Sequence, residues 1–422
     1  MAHQDFDDGL LDCTVSSPQK ESEGTQNTHV SYLVTTKTNF KTFQKPSTTV
    51  RRRFTDFLFL STTLSREYPA VAVPPLPEKH NTAYLRGGAR FTSDFTERRA
   101  RSLHRFLRRI ALHPELRRAA VLLQFLESPE WHSTMKSRMP SGSSPRSGSD
   151  GGGGGSGALE TWTDSFLNAF AKVHKPDKRF IEVREKADKL GEDLGSVEKS
   201  VARVARRQAD LGADYDEVAG QFQKLQVLEP GVAQPLTGFA VSVRESSEAW
   251  MELRNHTDRD YLTSLKDMEA YIASLKALLK AREQKQLDFE GLSDYLAKAA
   301  ADRDTLASHQ GSSGLGVSGL LRSKIEDVRG VDHEKARRDR IRKLEMEIER
   351  LTREVENAKV ASEMFDDRTV REVQEFERIK SIELQDTLGD LADAHIDFFG
   401  KTVETWEKFV AQMEEEGVTA AE

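Results

Sequence analysis

The feature that most restricts how this chain can fold is an unbroken row of apolar residues spaced in steps of four and three. Val183, Ala187, Leu190, Leu194, Val197, Val201, Val204, Gln208, Leu211, Tyr215, Val218, Phe222 and Leu225 follow that rhythm, and Gln208 is its one clearly polar member. Steps of three and four stay on one face of an α-helix, and their regular alternation is a heptad seam. Tyr261, Leu265, Met268, Ile272, Leu275 and Leu279 repeat it, as do Ile341, Leu344, Ile348, Leu351, Val355 and Ala358. Helices of roughly 60–80 residues run to ~90–120 Å at ~1.5 Å per residue, whereas helices of globular domains average ~11–12 residues. A small globule cannot bury such stripes. The three helices are expected to form an elongated antiparallel bundle that leaves seam exposed for a second copy. Each fully buried Leu, Ile, Val or Phe contributes ~1.5–3 kcal/mol, so rows of them favour dimerisation. A passive coiled-coil spacer would show the same periodicity and stays open as an alternative.

Residues ahead of the seam follow another period. Leu11 to Val15, Val30 to Thr36 and Thr48 to Phe54 are short runs rich in β-branched or aromatic residues, separated by polar clusters, and read as a three-stranded antiparallel meander. Thr55 to Tyr68 carries Phe57, Leu60 and Leu64 at helical spacing. Pro74-Pro75-Leu76-Pro77 enforces an extended stretch, and Thr92 to Leu112 reads as a second helix with Phe95, Leu103, Phe106, Leu107 and Ile110 on its apolar side. The expected fold class is therefore an α+β domain, a three-stranded antiparallel sheet plus helices, followed by an all-α elongated three-helix domain. Residues 1–8 are expected to form a disordered tail, 9–133 the α+β domain, 134–157 a flexible Gly/Ser linker, 158–176 a short amphipathic helix and 177–416 the helical domain. Breaks in the helices are expected at Pro176, Pro230 and Pro235 and in the loop HQGSSGLGVSG.

Charge is distributed as unevenly as hydrophobicity. Residues 31–120 hold 18 Lys and Arg against 6 Asp and Glu, or +12, so a net charge of -7 leaves -19 for the rest. A basic module joined to an acidic body attracts phosphate-bearing surfaces, and composition does not choose between nucleic acid and an anionic lipid leaflet. Nucleic-acid binding would call for aromatic platforms interleaved along an exposed sheet or groove; here the aromatics fall mainly at helical core spacing, and no nucleic-acid partner is expected. A mean hydropathy of -0.60 and the absence of ~20 consecutive apolar residues lead to the expectation of a chain neither secreted nor transmembrane. Cys13 is the single cysteine, which fits a reducing cytosol and allows neither an intrachain disulfide nor a thiolate zinc cluster. The glycine run 151–155 lacks the Gly-Lys-Ser/Thr of a phosphate loop, and no hydrolase or metalloprotease motif is present. The expectation is a protein without catalytic residues, metal or cofactor.

The densest chemical signal is Arg51-Arg52-Arg53-Phe54-Thr55-Asp56-Phe57, followed by Pro74-Pro75-Leu76-Pro77-Glu78-Lys79 and by Glu97-Arg98-Arg99 leading into Leu103 and Phe106. A phosphomonoester suits the planar donor fork of a guanidinium, a lysine adds a point charge, and an aromatic face suits a sugar-like ring. This set resembles the phox-homology (PX) domain over about 120 residues. The resemblance implies that Arg53 grips the 3-phosphate of phosphatidylinositol 3-phosphate and that Phe54 packs under the inositol ring, where the family usually has tyrosine. It further implies Lys79 as the 1-phosphate contact and Arg99 as the donor to the ring hydroxyls. Arg51 and Arg52 read as solvated edge-strand charges. Tyr84 and Leu85, in the loop after Lys79, match the segment that dips into the bilayer in such domains, with plain loop disorder as the competing reading.

Trp162, Phe166 and Phe170 lie at helical spacing with Leu159 and Val173, flanked by Lys172 and Lys175, and read as a membrane-inserting amphipathic helix or as an extra turn packed on the bundle. A PX module, such a helix and three long heptad helices resemble the PX-BAR class of sorting nexins. VSYLVTT, VRRRFTDF, VPPLPEKH, SDFTERRARSLHRFLRRIALHPELRR and FLESPEW place the resemblance with the sorting nexin-4, autophagy-related type. That resemblance implies peripheral attachment to endosomal and preautophagosomal membranes from the cytoplasm, and endosome-to-Golgi retrieval and selective autophagy with autophagy and cargo proteins. It also implies a homodimer, or a heterodimer with another PX-BAR sorting nexin. In this class the curved dimer presents basic residues to anionic lipid. Arg337, Arg338, Arg340, Arg342 and Lys343 are the first candidates, Arg203, Arg206 and Arg207 the second, and solvated helix faces the alternative.

Overall fold

The structure, a computed structural model, describes residues 9–22, 28–77, 92–138, 176–308 and 333–415. The chain divides into two units, one of residues 1–144, 184–276 and 373–422 and one of residues 145–183 and 277–372.

In the first unit, β1 (Leu11–Glu21), β2 (His29–Thr38) and β3 (Ser47–Arg53) form an antiparallel sheet in the order β1-β2-β3, with Val15 opposite Val34 and Val34 opposite Val50. The two-residue period sends Leu11, Cys13 and Val15 of β1 inward. β3 passes directly into α1 (Phe54–Glu67), because the Asp56 carboxylate accepts the Arg53 backbone N–H at 2.8 Å and satisfies the junction. Then follow α2 (Ser93–Leu112), a 3-10 turn at Leu116–Arg118, α3 (Ala120–Glu127) and α4 (Trp131–Arg138). The last two are eight residues each, too short for periodicity to reveal. Their side chains close the core: Phe57 meets Phe125 edge-on at 5.0 Å, and Trp131 lies 5.2 Å from Phe125 and 5.7 Å from Phe59.

Arg52 departs from its expected place at a solvated edge. It is 4% exposed, whereas Arg51 is exposed. Its Nε donates to the Phe125 carbonyl at 2.9 Å and its Nη2 to that of Ser128 at 2.5 Å. The end of α3 leaves carbonyls without helical donors, and a guanidinium supplies them. Burial pulls its pKa down to about 10, with Asp56 opposing.

The helical part begins with α5 (Lys178–Leu228) and a 3-10 turn at Pro230–Val232. It continues through α6 (Ala233–His256), a π-turn at Thr257–Tyr261, α7 (Leu262–Ser308) and α8 (His333–Glu415). Pro235 is no break: it is the third residue of α6, where its missing N–H has no helical acceptor to lose. α5 and α6 run antiparallel, with the Ser247 hydroxyl donating to the Gly212 carbonyl at 2.6 Å and Phe222 against Phe239 at 4.6 Å. α8 lies along α6 and the start of α7 through Trp406 on Phe239, Phe398 on Trp250 and Phe376 on Tyr271.

The α5 seam divides into two layers. Ala187, Leu194 and Gln208 of the seam are buried within the chain, together with Ala205 and Ala219, which lie one residue off it. They are mostly small, and a side chain at Gly212 would stand 2.9 Å from the Met251 sulfur, so α6 approaches closely. Val197, Val204, Leu211, Val218 and Leu225, each seven residues from the next, keep 37–49% of their surface exposed. The second seam is buried throughout, from Tyr261 to Leu279. It is one residue out of phase with α6: after Trp250, Leu253 and Thr257 a heptad would continue at 260, and the stripe resumes at Tyr261. The π-turn takes up the extra residue.

The basic face of α2 is turned toward acids of the long helices. Arg98 pairs with Asp258 at 2.5 Å, Arg101 with Asp260, Arg105 with Asp267 at 2.7 Å and Arg108 with Asp386. Arg259 of the π-turn returns the contact to Asp94 at 2.8 Å and Glu97 at 3.3 Å. Arg109, 1% exposed, grips Glu383 with two 2.7 Å bonds, donates to the Asp267 carbonyl at 2.9 Å and stacks 4.8 Å from the Tyr271 ring centre. Burial works against its charge, but Glu383, with Asp267 and Tyr271 adding to it, more than offsets burial and the guanidinium ends above its ordinary pKa. Much of the +12 counted in residues 31–120 is thus matched by carboxylates of the same chain.

In the second unit, Leu278, Leu279 and Leu351 are buried, and Arg282 holds Asp366 bidentately at 2.6 and 2.7 Å with its guanidinium 4.2 Å from the Phe180 ring centre. The third seam keeps its steps past Ala358 through buried Ser362, Thr369 and Glu372, polar positions that hide it from a hydrophobicity pattern. No described helix is long and apolar enough to cross a membrane.

Removing one member of a buried ion pair costs ~3–5 kcal/mol, and an exposed pair contributes ~0–1 kcal/mol. Glu383→Ala is therefore expected to lower stability by about 3–5 kcal/mol in denaturant titration. Asp386→Ala, whose pair with Arg108 is 44% and 40% exposed, should change it by less than about 1 kcal/mol.

Candidate functional site

Where β2, the β3–α1 junction and α2 meet, they enclose a cleft of about 210 Å³ lined by Thr28, His29, Val30, Tyr32, Arg53, Phe54, Thr55 and Arg99. Three of the four residues expected to bind a phosphorylated ring, Arg53, Phe54 and Arg99, are brought together there from positions 45 residues apart in sequence. Lys79 lies outside the described residues, as do Tyr84, Leu85, Trp162, Phe166 and Phe170.

Local chemistry sets each side chain. Arg53 caps α1, so its guanidinium is carried at the N-terminus of a 14-residue helix beside the first amides, where an anion is favoured. Arg99 stacks on two rings, 4.4 Å from the centre of Phe54 and 4.5 Å from that of Phe95. Its Nε is buried without an acceptor among the described residues, while the rest of the guanidinium abuts the Tyr32 hydroxyl. Burial pulls Arg99 below its ordinary pKa and pushes Tyr32 above its own, each easing the other.

Six arginines sit on α2, and Arg98, Arg101, Arg105, Arg108 and Arg109 each hold a carboxylate. Among the described residues Arg99 holds none, and neither does Arg53. Two guanidinium groups in one cleft beside an aromatic ring can take an anion, and the mixed lining suits a phosphorylated ring with one apolar face.

Tyr32, His29 and Phe95 escaped the sequence reading as site residues. Tyr32 alternates with Val34 on the inward face of β2 and reads as core, while Phe95 reads as one more residue of the α2 apolar stripe. His29 lies 3.2 Å from Glu21 across the β1–β2 pair. No spacing signal singles it out.

The basic run of α8 falls in its first three turns. Arg338, Arg342 and Lys343 are exposed, and Arg338 bonds Glu334 one turn away at 2.8 Å. Asp339 and Glu345 share this surface.

The family description "PX domain" matches residues 40–129, and "Vps5 C terminal like" matches residues 156–313. The fold is similar to the cryo-EM structure of the SNX-BAR Mvp1 tetramer, with a TM-score of 0.59 at 16% identity, covering 94% of this chain and 99% of that one. A PX sheet domain joined to long BAR-like helices makes this a sorting nexin of the PX-BAR class. Sorting nexin-4 of Emericella nidulans is 60% identical over 98% of this chain and 85% of its own length. Sorting nexin-4 of Cryptococcus neoformans var. neoformans is 37% identical over 95% and 80%. The chain belongs to the sorting nexin-4 family.

The Glu21 carboxyl is held below its ordinary pKa of 4.5 chiefly by the Ser31 hydroxyl, against some burial and with help from His29. A pKa lowered by folding gives stability that is complete above the unfolded value and lost as pH falls through the folded one. Glu21→Gln should therefore melt at a lower temperature at pH 7 and converge with the unaltered protein below the carboxylate range. Thermal unfolding across pH measures it.

Proposed function

We propose that this protein is a peripheral membrane sorting nexin that binds phosphatidylinositol 3-phosphate through its PX domain and dimerises through its helices. In that form it senses or generates curvature during endosome-to-Golgi retrieval and selective autophagy. The observation that carries the reading is the pair of guanidinium groups, Arg53 and Arg99, that hold no carboxylate among the described residues and line one small cleft beside Phe54. Arg53 takes the 3-phosphate, Phe54 supports the inositol ring and Arg99 donates to its hydroxyls. Lys79 supplies the 1-phosphate contact, and Tyr84 and Leu85 enter the bilayer beside it. Trp162, Phe166 and Phe170 form an amphipathic face inserted at the interface, and Arg337, Arg338, Arg340, Arg342 and Lys343 meet anionic head groups.

A charge-assisted bidentate contact contributes ~1.5–3 kcal/mol, or roughly 10–100-fold in affinity. Arg53→Ala is expected to weaken capture by phosphatidylinositol 3-phosphate vesicles by at least about 10-fold while leaving the dimer intact in sedimentation. Undiminished capture with the same 3-phosphate preference would refute the cleft assignment.

Dimerisation rests on the outer layer of α5, and exposed Ile396, Phe399, Val403 and Val410 form a second apolar row on α8. Val204→Asp with Leu211→Asp should sediment as a helical monomer, since neither position is needed inside the chain. An unchanged sedimentation coefficient would rule out this seam. An endosome-addressed coiled-coil scaffold without curvature activity is the second reading, favoured by the acids mixed into the α8 basic run. Tubulation and radius-dependent vesicle binding belong to the first reading, simple attachment to the second.

A further inference from the structure

We propose that His29 is a further head-group-binding residue: positioned by Glu21, it meets the phosphate as a cation, so that the cleft captures its ligand more tightly as pH falls through the range in which imidazole titrates. This rests on the proposed reading of the cleft.

Three observations carry it. The first is placement. His29 opens β2 and pairs with Glu21 at the end of β1, while Ser31, two residues on, pairs with Arg53 at the end of β3. Residues two apart on a strand share a face, so His29 and Arg53 are diagonal neighbours across the sheet, ~7–8 Å apart at the backbone. Both line the cleft. A phosphate gripped by Arg53 is therefore within reach of the imidazole.

The second is orientation. The His29 Nε2 lies 3.2 Å from one Glu21 carboxylate oxygen, and the other oxygen accepts the Ser31 hydroxyl. Arg51 donates to that same hydroxyl at 3.1 Å. Glu21 keeps its charge in this network, since the Ser31 hydroxyl above all, then His29 and Arg51, hold it ionised against some burial. An ionised carboxylate only accepts, so Nε2 carries a hydrogen. A neutral ring so held would turn a lone pair on Nδ1 outward, whereas the charged ring donates from both nitrogens and serves Glu21 and a phosphate together.

The third is the balance of charge. Among the described residues one carboxylate, Glu21 of β1, stands at this wall against three guanidinium groups, Arg51 and Arg53 of β3 and Arg99 of α2; Tyr32 of β2, pushed by burial above its ordinary pKa, is neutral. By themselves the guanidinium groups oppose another positive charge. A phosphate monoester carries ~1.5–2 negative charges near neutral pH and reverses that balance. Imidazole changes charge between about pH 5 and 8, so binding draws a proton onto His29. A group that gains a proton on binding lends affinity that is complete below its titration in the free protein and lost as pH rises through its titration in the complex.

Titration calorimetry of the full chain with soluble inositol 1,3-bisphosphate, at about pH 6.5 and about pH 8 and in buffers of unlike ionisation heat, reads both affinity and proton uptake. The unaltered protein should bind about fivefold more tightly than His29→Gln at the lower pH, and the two should agree within about twofold at the higher. Both meet the same ligand, so the titration of its phosphates cancels in the comparison. Glu21→Gln should lose most of the gain at the lower pH, and an undiminished gain would overturn the part given to Glu21. Equal affinities for the unaltered protein and His29→Gln at both pH values would overturn the role of His29 and leave the cleft reading standing. A loss of one size at both would make the ring a neutral contact and overturn its cationic role. Failure of the unaltered protein to bind at either pH would overturn the cleft reading and this inference with it. Phosphates release protons on meeting guanidinium groups, so net proton uptake by the unaltered protein is the expected reading even should His29→Gln fail to fold, and net release overturns the proposal.

Discussion

A guanidinium almost wholly withdrawn from water stays charged only when its surroundings replace the hydration it has lost, and Arg109 is such a group. Both of its outer faces are used, on the Glu383 carboxylate and the Asp267 carbonyl, and its flat side rests on Tyr271. None of those partners belongs to the sheet domain. The α2 helix therefore contributes Leu103, Phe106, Leu107 and Ile110 to one core while its opposite face completes a polar seam with helices more than 150 residues away. An amphipathic helix with water on its polar side could drift. One with a buried ion pair on that side is held.

Charge counts mislead where charges are internally spent. A segment at +12 reads as a surface for phosphate, yet the row from Arg98 to Arg109 answers acids on α6, α7, α8 and the π-turn. What the count conceals, the exceptions show. Arg99 interrupts the row, and it is the one α2 arginine that stands over aromatic rings in the cleft. Arg52 gives the same lesson in reverse, being drawn inward by carbonyls at the end of a helix that sequence periodicity does not reveal.

Much of the fold was legible because its periods are long or its punctuation strong. Three strands, α1, α2 and the seams beginning at Val183 and Tyr261 follow from spacing alone, and the Arg53-Phe54 junction follows from chemistry at a strand end. Other parts were hidden for identifiable reasons. α3 and α4 are two turns each, shorter than any pattern needs. The third seam passes through Ser362, Thr369 and Glu372, which no apolar template admits. The π-turn appears in sequence only as a phase slip of one residue. Tyr32 supports Arg99 from a position indistinguishable from core until β2 and α2 are seen to converge.

The two layers of α5 separate constraints that are usually entangled. Its inner layer is made of small buried residues such as Ala205 and Ala219, and of Gly212, where an added side chain would meet Met251 of α6; at Gly212 the chain has little freedom to vary. The outer residues Val197, Val204, Leu211, Val218 and Leu225 are held by their own chain over little more than half of their surface. Changes in that layer can alter which surface it fits without reopening the interior. Evolution could thus retune association in this lineage by small steps, each leaving the protomer able to fold.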